Sequence, residues 1–229
     1  MPAMSPLRIA VSACLLVAAL ALPPAASARI IEVGKLAGEE PKPSCPTPCL
    51  AVSRTTGYQA KVGEQRGPFV VPADGRIVAW SITLGRPGPK QRKFFNDTLG
   101  GKPQAGISVL RTGAKLMGRV TSASPVQPLE DYYGQTVQFP LERTLEVKKG
   151  YVVALTVPTW APALAVGFGS DTSWRASRTS AQCQDTRTQT AQVRVGGLTQ
   201  YRCLYKTARL AYTATLITNP KQPAEKRAG

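Results

Sequence analysis

Glu130-Asp131-Tyr132-Tyr133 is the one place in the chain where acidic and aromatic side chains stand side by side. A carboxylate there can bind sugar hydroxyls while a tyrosine ring lies against the sugar face. Hydrolysis of a glycosidic bond needs more: two Asp/Glu groups facing each other across a cleft, about 5 Å apart for retention or about 6.5 to 9.5 Å for inversion. Most of the other carboxylates have plainer roles. Asp74 precedes Gly75 in a turn, and Glu142 and Glu146 share a polar strand face with Arg143, Lys148 and Lys149. Two adjacent acids also fall short of an oxygen cage for calcium. The chain has no histidine, which excludes Ser-His-Asp and Cys-His catalysis and every histidine-ligated metal site. No catalytic residue, metal ligand or cofactor is therefore assigned.

Charge is the stronger signal. The formal net charge is +16, from 29 Lys+Arg against 13 Asp+Glu. Between Arg175 and Arg209 the basic residues Arg175, Arg178, Arg187, Arg194, Arg202, Lys206 and Arg209 face Asp185 alone. A second cluster, from Arg86 to Lys102, carries Lys90, Arg92 and Lys93 with Phe94 and Phe95 between the charges. Cations interleaved with rings on a loop can hold a polyanion by attraction and stacking. The same residues can equally be a solubilising surface with the phenylalanines plugging the fold. Trp160, set between Pro158 and Pro162, and Trp174, next to Arg175, are either sugar platforms or caps on the core. The candidate ligand-binding set is thus Trp160, Trp174, Arg175, Arg178, Tyr132, Tyr133, Lys90, Arg92 and Lys93. Asn96-Asp97-Thr98 also matches the acceptor pattern for N-glycosylation.

The elements that must position these groups begin after an export signal. Arg8, the apolar stretch Ile9 to Leu22 and the small residues Ala26-Ser27-Ala28 have the three-part layout of a secretory leader over 1–28. The apolar stretch, broken by Pro23-Pro24, is shorter than the roughly 20 residues that span a bilayer, so no transmembrane segment is expected. Val11-Ser12-Ala13-Cys14 offers a lipoprotein alternative, with only Ile9 and Ala10 separating it from Arg8. Residues 29–49, with Pro41, Pro43, Pro46 and Pro48, are expected to be a linker ending in a cysteine turn. The folded domain is expected over 50–218, followed by a disordered basic tail over 219–229.

In an exported chain the remaining Cys45, Cys49, Cys183 and Cys203 imply two disulfides, for which three pairings exist. Local pairing, Cys45 with Cys49 and Cys183 with Cys203, is favoured, although spacing alone does not decide it. Neither spacing suits a zinc ribbon, and the prolines of Cys45-Pro46-Thr47-Pro48-Cys49 suit a rigid turn better than a redox motif.

Apolar residues recur with period two. In Arg76 to Leu84 the pattern places Val78, Trp80, Ile82 and Leu84 on one face, and Leu210, Tyr212, Ala214 and Leu216 repeat it near the end of the chain. Short runs of this kind, punctuated by Gly and Pro turns, predict an all-β, antiparallel, jelly-roll-like sandwich of about ten strands. The exception is Lys90 to Leu99, predicted to be one short helical insertion ended by Gly100-Gly101. The hairpin Leu145 to Leu155, the run Val71 to Trp80 and the closing Tyr212 to Leu216 resemble uncharacterised secreted β-sandwich proteins of high-GC Gram-positive bacteria. That resemblance implies a fold and an extracellular or envelope setting, with no catalytic motif to transfer.

Together these features lead to an expected non-catalytic module contacting an anionic or carbohydrate polymer of the cell envelope, with no specific nucleic-acid partner. A carboxylate-dependent polysaccharide enzyme and a structural subunit of a surface assembly are the alternatives. Oligomeric state is not legible in the sequence.

Overall fold

The period-two segments form strands in the computed structural model, which describes residues 27–36, 38, 40–184 and 189–220. Most of the leader and of the basic tail, with Asp185 and Arg187, lies outside the described residues. In chain order the strands are β1 (Ile30–Val33), β2 (Val52–Val62), β3 (Gln65–Arg66), β4 (Gly75–Thr83), β5 (Gln104–Thr112), β6 (Met117–Ala123), β7 (Gln127–Pro128) and β8 (Thr136–Val147). They continue as β9 (Val152–Ala161), β10 (Leu164–Val166), β11 (Ser173–Ala176), β12 (Leu198–Gln200), β13 (Cys203–Lys206), β14 (Ala208–Leu210) and β15 (Tyr212–Thr218), with one helix, α1 (Pro89–Thr98). Ten strands have four or more residues. The other five are too short to show alternation, which is why the pattern suggested about ten. No helix among the described residues is long and apolar enough to cross a membrane.

The strand order is that of a jelly roll. One sheet runs β1-β15-β4-β8, and the larger one contains β6-β5-β9-β2, extended by β12 beyond β6 and by β11 and β13 beyond β2. The first strand lies beside the last, and among the eight strands of β1-β15-β4-β8 and β6-β5-β9-β2 the chain passes from sheet to sheet except at the β5–β6 hairpin, as two nested Greek keys require. This arrangement draws the segment expected to be a linker into the fold. β1 pairs with β15 from Ile30↔Ile217 to Val33↔Ala214, and Val33 is buried. A four-residue strand just ahead of a proline-rich run carries too little pattern to be read as one.

The core lies between the sheets, around Trp80, Ile82, Leu84, Val109, Leu155, Tyr212 and Leu216. A bulge shifts the phase of β4. Its register with β8 slips between Ile77 and Ala79, so Ile77 is fully buried with Trp80 and Ile82 while Val78 is not. Strand β9 is buried on both faces from Val152 to Val157. Its outer side is covered by the segment around Gln192, whose backbone is bonded to hydroxyls of the sheet: Gln192 N donates to Thr56 Oγ1 at 2.8 Å and Ser108 Oγ donates to Gln192 O at 3.2 Å. The disulfides Cys45–Cys49 and Cys183–Cys203 both form, the second at the root of that covering segment.

Candidate cleft at the helical end

The insertion between β4 and β5 folds because its sequence starts and stops a helix cleanly. Pro89 occupies the first helical turn, where its missing N–H costs nothing. The Gln91 side chain accepts the Gly88 N–H at 2.7 Å. Gly100 and Gly101 take positive φ values, +93° and +104°, which end the helix. Phe95 is the buried residue of α1 and packs on Trp160 with ring centroids 4.9 Å apart. The Trp160 indole N–H donates to Gly101 O at 2.9 Å and to Asn96 Oδ1 at 3.0 Å. The helix is thereby fixed to the end of β9.

Next to this helix the chain turns through Glu130–Tyr132 as a 3-10 turn, and the two segments enclose an open cleft of about 500 Å³. Arg86, Arg92, Glu130, Asp131, Tyr133 and Gln135 supply its polar lining, and Pro46, Pro87 and Pro89 its stiff walls. Pro46 belongs to the cysteine turn, which Gln91 anchors by donating from Nε2 to Pro46 O at 2.8 Å. Three features far apart in sequence therefore meet here: the disulfide turn, the basic insertion and the acidic-aromatic cluster.

Charge in the cleft is unevenly paired. Glu130 is bonded to Lys102 at 2.9 Å, whereas neither Arg86 nor Arg92 has a carboxylate partner among the described residues. Arg92 lies over the Tyr133 ring at 5.6 Å, and the same ring stacks with Trp160 at 6.2 Å. Burial, reinforced by the Glu130 charge and opposed by Arg92, pushes the Tyr133 phenol up to about 12, so it stays a neutral donor at any physiological pH. Gly134, at φ +75°, leaves room for Arg86; a Cβ there would sit 2.8 Å from the Arg86 Nε.

The candidate set splits. Arg92 and Tyr133 line the cleft. Lys90 and Lys93 are exposed on the same helix outside its lining, and Lys93 is held by Asp97 at 2.8 Å. Tyr132 points its ring into the core, edge-on to Phe139 at 5.5 Å. Trp160 is completely buried, so it forms the floor beneath the cleft and offers no platform to a sugar. The aromatic partner left open to solvent is Phe94, 61% exposed.

Trp174, Arg175 and Arg178 lie elsewhere, on and just after β11, and serve the fold. Trp174 is buried and stacks on Tyr205 at 4.6 Å. Arg175 Nη1 donates to Tyr201 O at 3.2 Å. Arg178, 4% exposed, donates to Ser53 O at 2.8 Å and to Tyr205 Oη at 2.7 Å. The run with the densest positive charge thus has two of its arginines turned inward, onto backbone carbonyls and a phenol. Spacing had no means of selecting Gln135 or Pro46, while Arg86 was visible only as one cation of the insertion. Asn96 of the glycosylation pattern lies within α1 with its amide oxygen bonded to Trp160.

No protein-family model, curated protein or solved structure matches this chain.

Proposed function

We propose that the protein is an exported, non-catalytic module that holds an anionic polymer of the cell envelope in the cleft between α1 and the Glu130–Tyr132 turn. The observation that carries this reading is the pair Arg86 and Arg92, unpaired with any carboxylate among the described residues and opening onto one cleft. Guanidinium groups bind carboxylate and phosphate through a planar fork of donors, and the neutral Tyr133 phenol and the Gln135 amide add uncharged donors beside them. The net charge of +16 raises the local concentration of any polyanion before contact is made. Lys90 extends the same field along the helix, while the charge of Lys93 is balanced by Asp97.

The geometry offers the hydrolase alternative no support, because Glu130, its acid of choice, is bonded to Lys102 and the adjacent tyrosine rings are already packed. The sugar-stacking mode likewise lacks an open ring face at Trp160, Trp174 or Tyr132.

Binding to poly(glycerol phosphate) and to polygalacturonate, measured by titration at several salt concentrations, tests the proposal. The affinity should fall steeply and log-linearly with salt, and Arg86→Ala/Arg92→Ala should reduce the slope by about two counterions. A salt-independent affinity, or a slope unchanged in the double variant, would overturn it.

A further inference from the structure

The outward face of the four-stranded sheet carries a second polar groove, which shares no lining residue with the cleft although its Thr136 follows Gln135, with a volume of about 260 Å³. Its floor is uncharged and made of short hydrogen-bonding side chains from three adjacent strands. Thr213 of β15 stands opposite Ser81 of β4, which stands opposite Gln138 of β8; one step along, Thr83 stands opposite Thr136. The sheet sets these rows about 4.8 Å apart across the strands and about 6.7 Å along them. Glu32 rises at one side, with its Oε1 accepting from Thr215 Oγ1 at 2.6 Å. Lys35 and Glu40, from the segment that follows β1, complete the lining.

Two properties distinguish this face from an ordinary solvated one. In a chain of net charge +16, Lys35 is the one cation of the lining, and its one aromatic residue, Tyr212, turns a buried ring away from the groove onto Phe69, whereas solubilising faces are usually built from long charged side chains. Its side chains are also ordered against each other: Thr83 and Thr136 are bonded at 2.9 Å, and Gln138 Nε2 donates to Thr215 Oγ1 at 3.5 Å. Each hydroxyl keeps unused capacity after such a bond, since it offers one donor and two lone pairs. The Ser and Thr side chains of these rows, unlike Gln138, lose little rotamer entropy when a ligand arrives. A regular array of groups that both donate and accept is complementary to the hydroxyl edge of a sugar chain. With no ring face open to the groove, a sugar there would lie edge-on, held by hydrogen bonds and by Glu32.

We propose that this groove is a binding site for an uncharged glycan chain, separate from the cationic cleft. The test uses the isotope-labelled protein and three neutral hexasaccharides, β-1,4-glucose, β-1,4-N-acetylglucosamine and α-1,6-mannose, at about 1 M NaCl, where the Debye length of roughly 3 Å silences the cleft. At least one hexasaccharide should shift the backbone resonances of Thr83, Thr136 and Thr213. Thr83→Val/Thr213→Val, which keeps the shape and the strand preference, should weaken that binding by about tenfold or more, whereas Arg86→Ala/Arg92→Ala should leave it unchanged. Should the valine variant fold poorly, Gln138→Ala, at an exposed position, gives the same reading with a smaller loss. If no hexasaccharide moves these resonances, or a well-folded variant binds as tightly as the parent, the proposal is overturned.

Discussion

Replacing Trp160 with phenylalanine isolates the bond that ties the helix to the sheet. The ring stays in place against Phe95 and Tyr133, but the indole N–H that serves both Gly101 O and Asn96 Oδ1 is lost. The carbonyl and the amide are left without that donor at the part-buried base of α1, at a cost of about 1–3 kcal/mol. The smaller ring leaves a gap as well, so about 2 kcal/mol is a fair central value for Trp160→Phe. Trp160→Ala, which removes a completely buried side chain, should cost about 3–5 kcal/mol. For a domain of this size, 2 kcal/mol lowers Tm by about 4–8 °C. Calorimetry of the parent and both variants gives the stability, and polyanion titration on the same samples shows whether the cleft loosens with the helix. A Trp160→Phe variant within about 0.5 kcal/mol of the parent would refute the claim that this N–H orders α1. Full stability combined with lost polyanion binding would show instead that the indole contacts the ligand directly.

Other consequences can be checked on the same material. Arg178→Ala should destabilise the fold by about 3 kcal/mol, because two charge-assisted bonds to Ser53 O and Tyr205 Oη vanish from a buried site; Arg178→Met, which fills the space without a charge, should cost less. Neither should change the salt slope of polyanion binding, and a changed slope would return Arg178 to the binding surface. All three tryptophans, Trp80, Trp160 and Trp174, are buried, so emission should be blue-shifted and poorly quenched by acrylamide, and a red-shifted, readily quenched spectrum would contradict the packing. Burial raises the phenols of Tyr58, Tyr133, Tyr201 and Tyr212, so each keeps its proton to higher pH when folded than when unfolded. Their contribution is complete below about pH 10 and is lost as pH climbs through the folded values; urea midpoints should therefore begin to drop near pH 10 and keep dropping to about pH 12, and a flat profile would count against burial of these rings. Cys183→Ser/Cys203→Ser opens a loop with a sequence separation of 20 and should cost roughly 3 kcal/mol, more than the short Cys45–Cys49 link, which denaturation of the two double variants would rank.

The layered fold was legible because alternation is a property of local sequence. Trp80, Ile82 and Leu84 are buried at the positions their spacing gives them, and the glycines that end α1 announce themselves. What was not legible is what depends on distant partners. The bulge that moves Ile77 inward arises from pairing with β8 and β15, and β1 is a strand only because β15 offers it an edge. The covering segment around Gln192 buries Thr56, Ser108 and Thr156, which by composition alone look like a solvent face. For the cleft, the sequence supplied Arg92 and Tyr133 and the idea of acid beside aromatic. It had no way to join them to Pro46, which reaches the cleft only through the fold of the cysteine turn.

Positive charge shows the same division between composition and place. Counted along the chain, the stretch from Arg175 to Arg209 outweighs the insertion, and a binding surface would be sought there. Arg175 and Arg178, however, each serve backbone carbonyls, and Arg209 lies 5.7 Å from the Phe168 ring. A guanidinium that satisfies a carbonyl in the interior has already been desolvated, and its field reaches solvent weakly. Arg86 and Arg92 are fewer but open onto a cleft with no carboxylate bound to either among the described residues. What a polyanion meets is therefore set by which cations the fold leaves unused: Arg194, Arg202 and Lys206 stay exposed in the longer stretch, but Arg86 and Arg92 are the two that open together onto the cleft at the helical end of the sandwich.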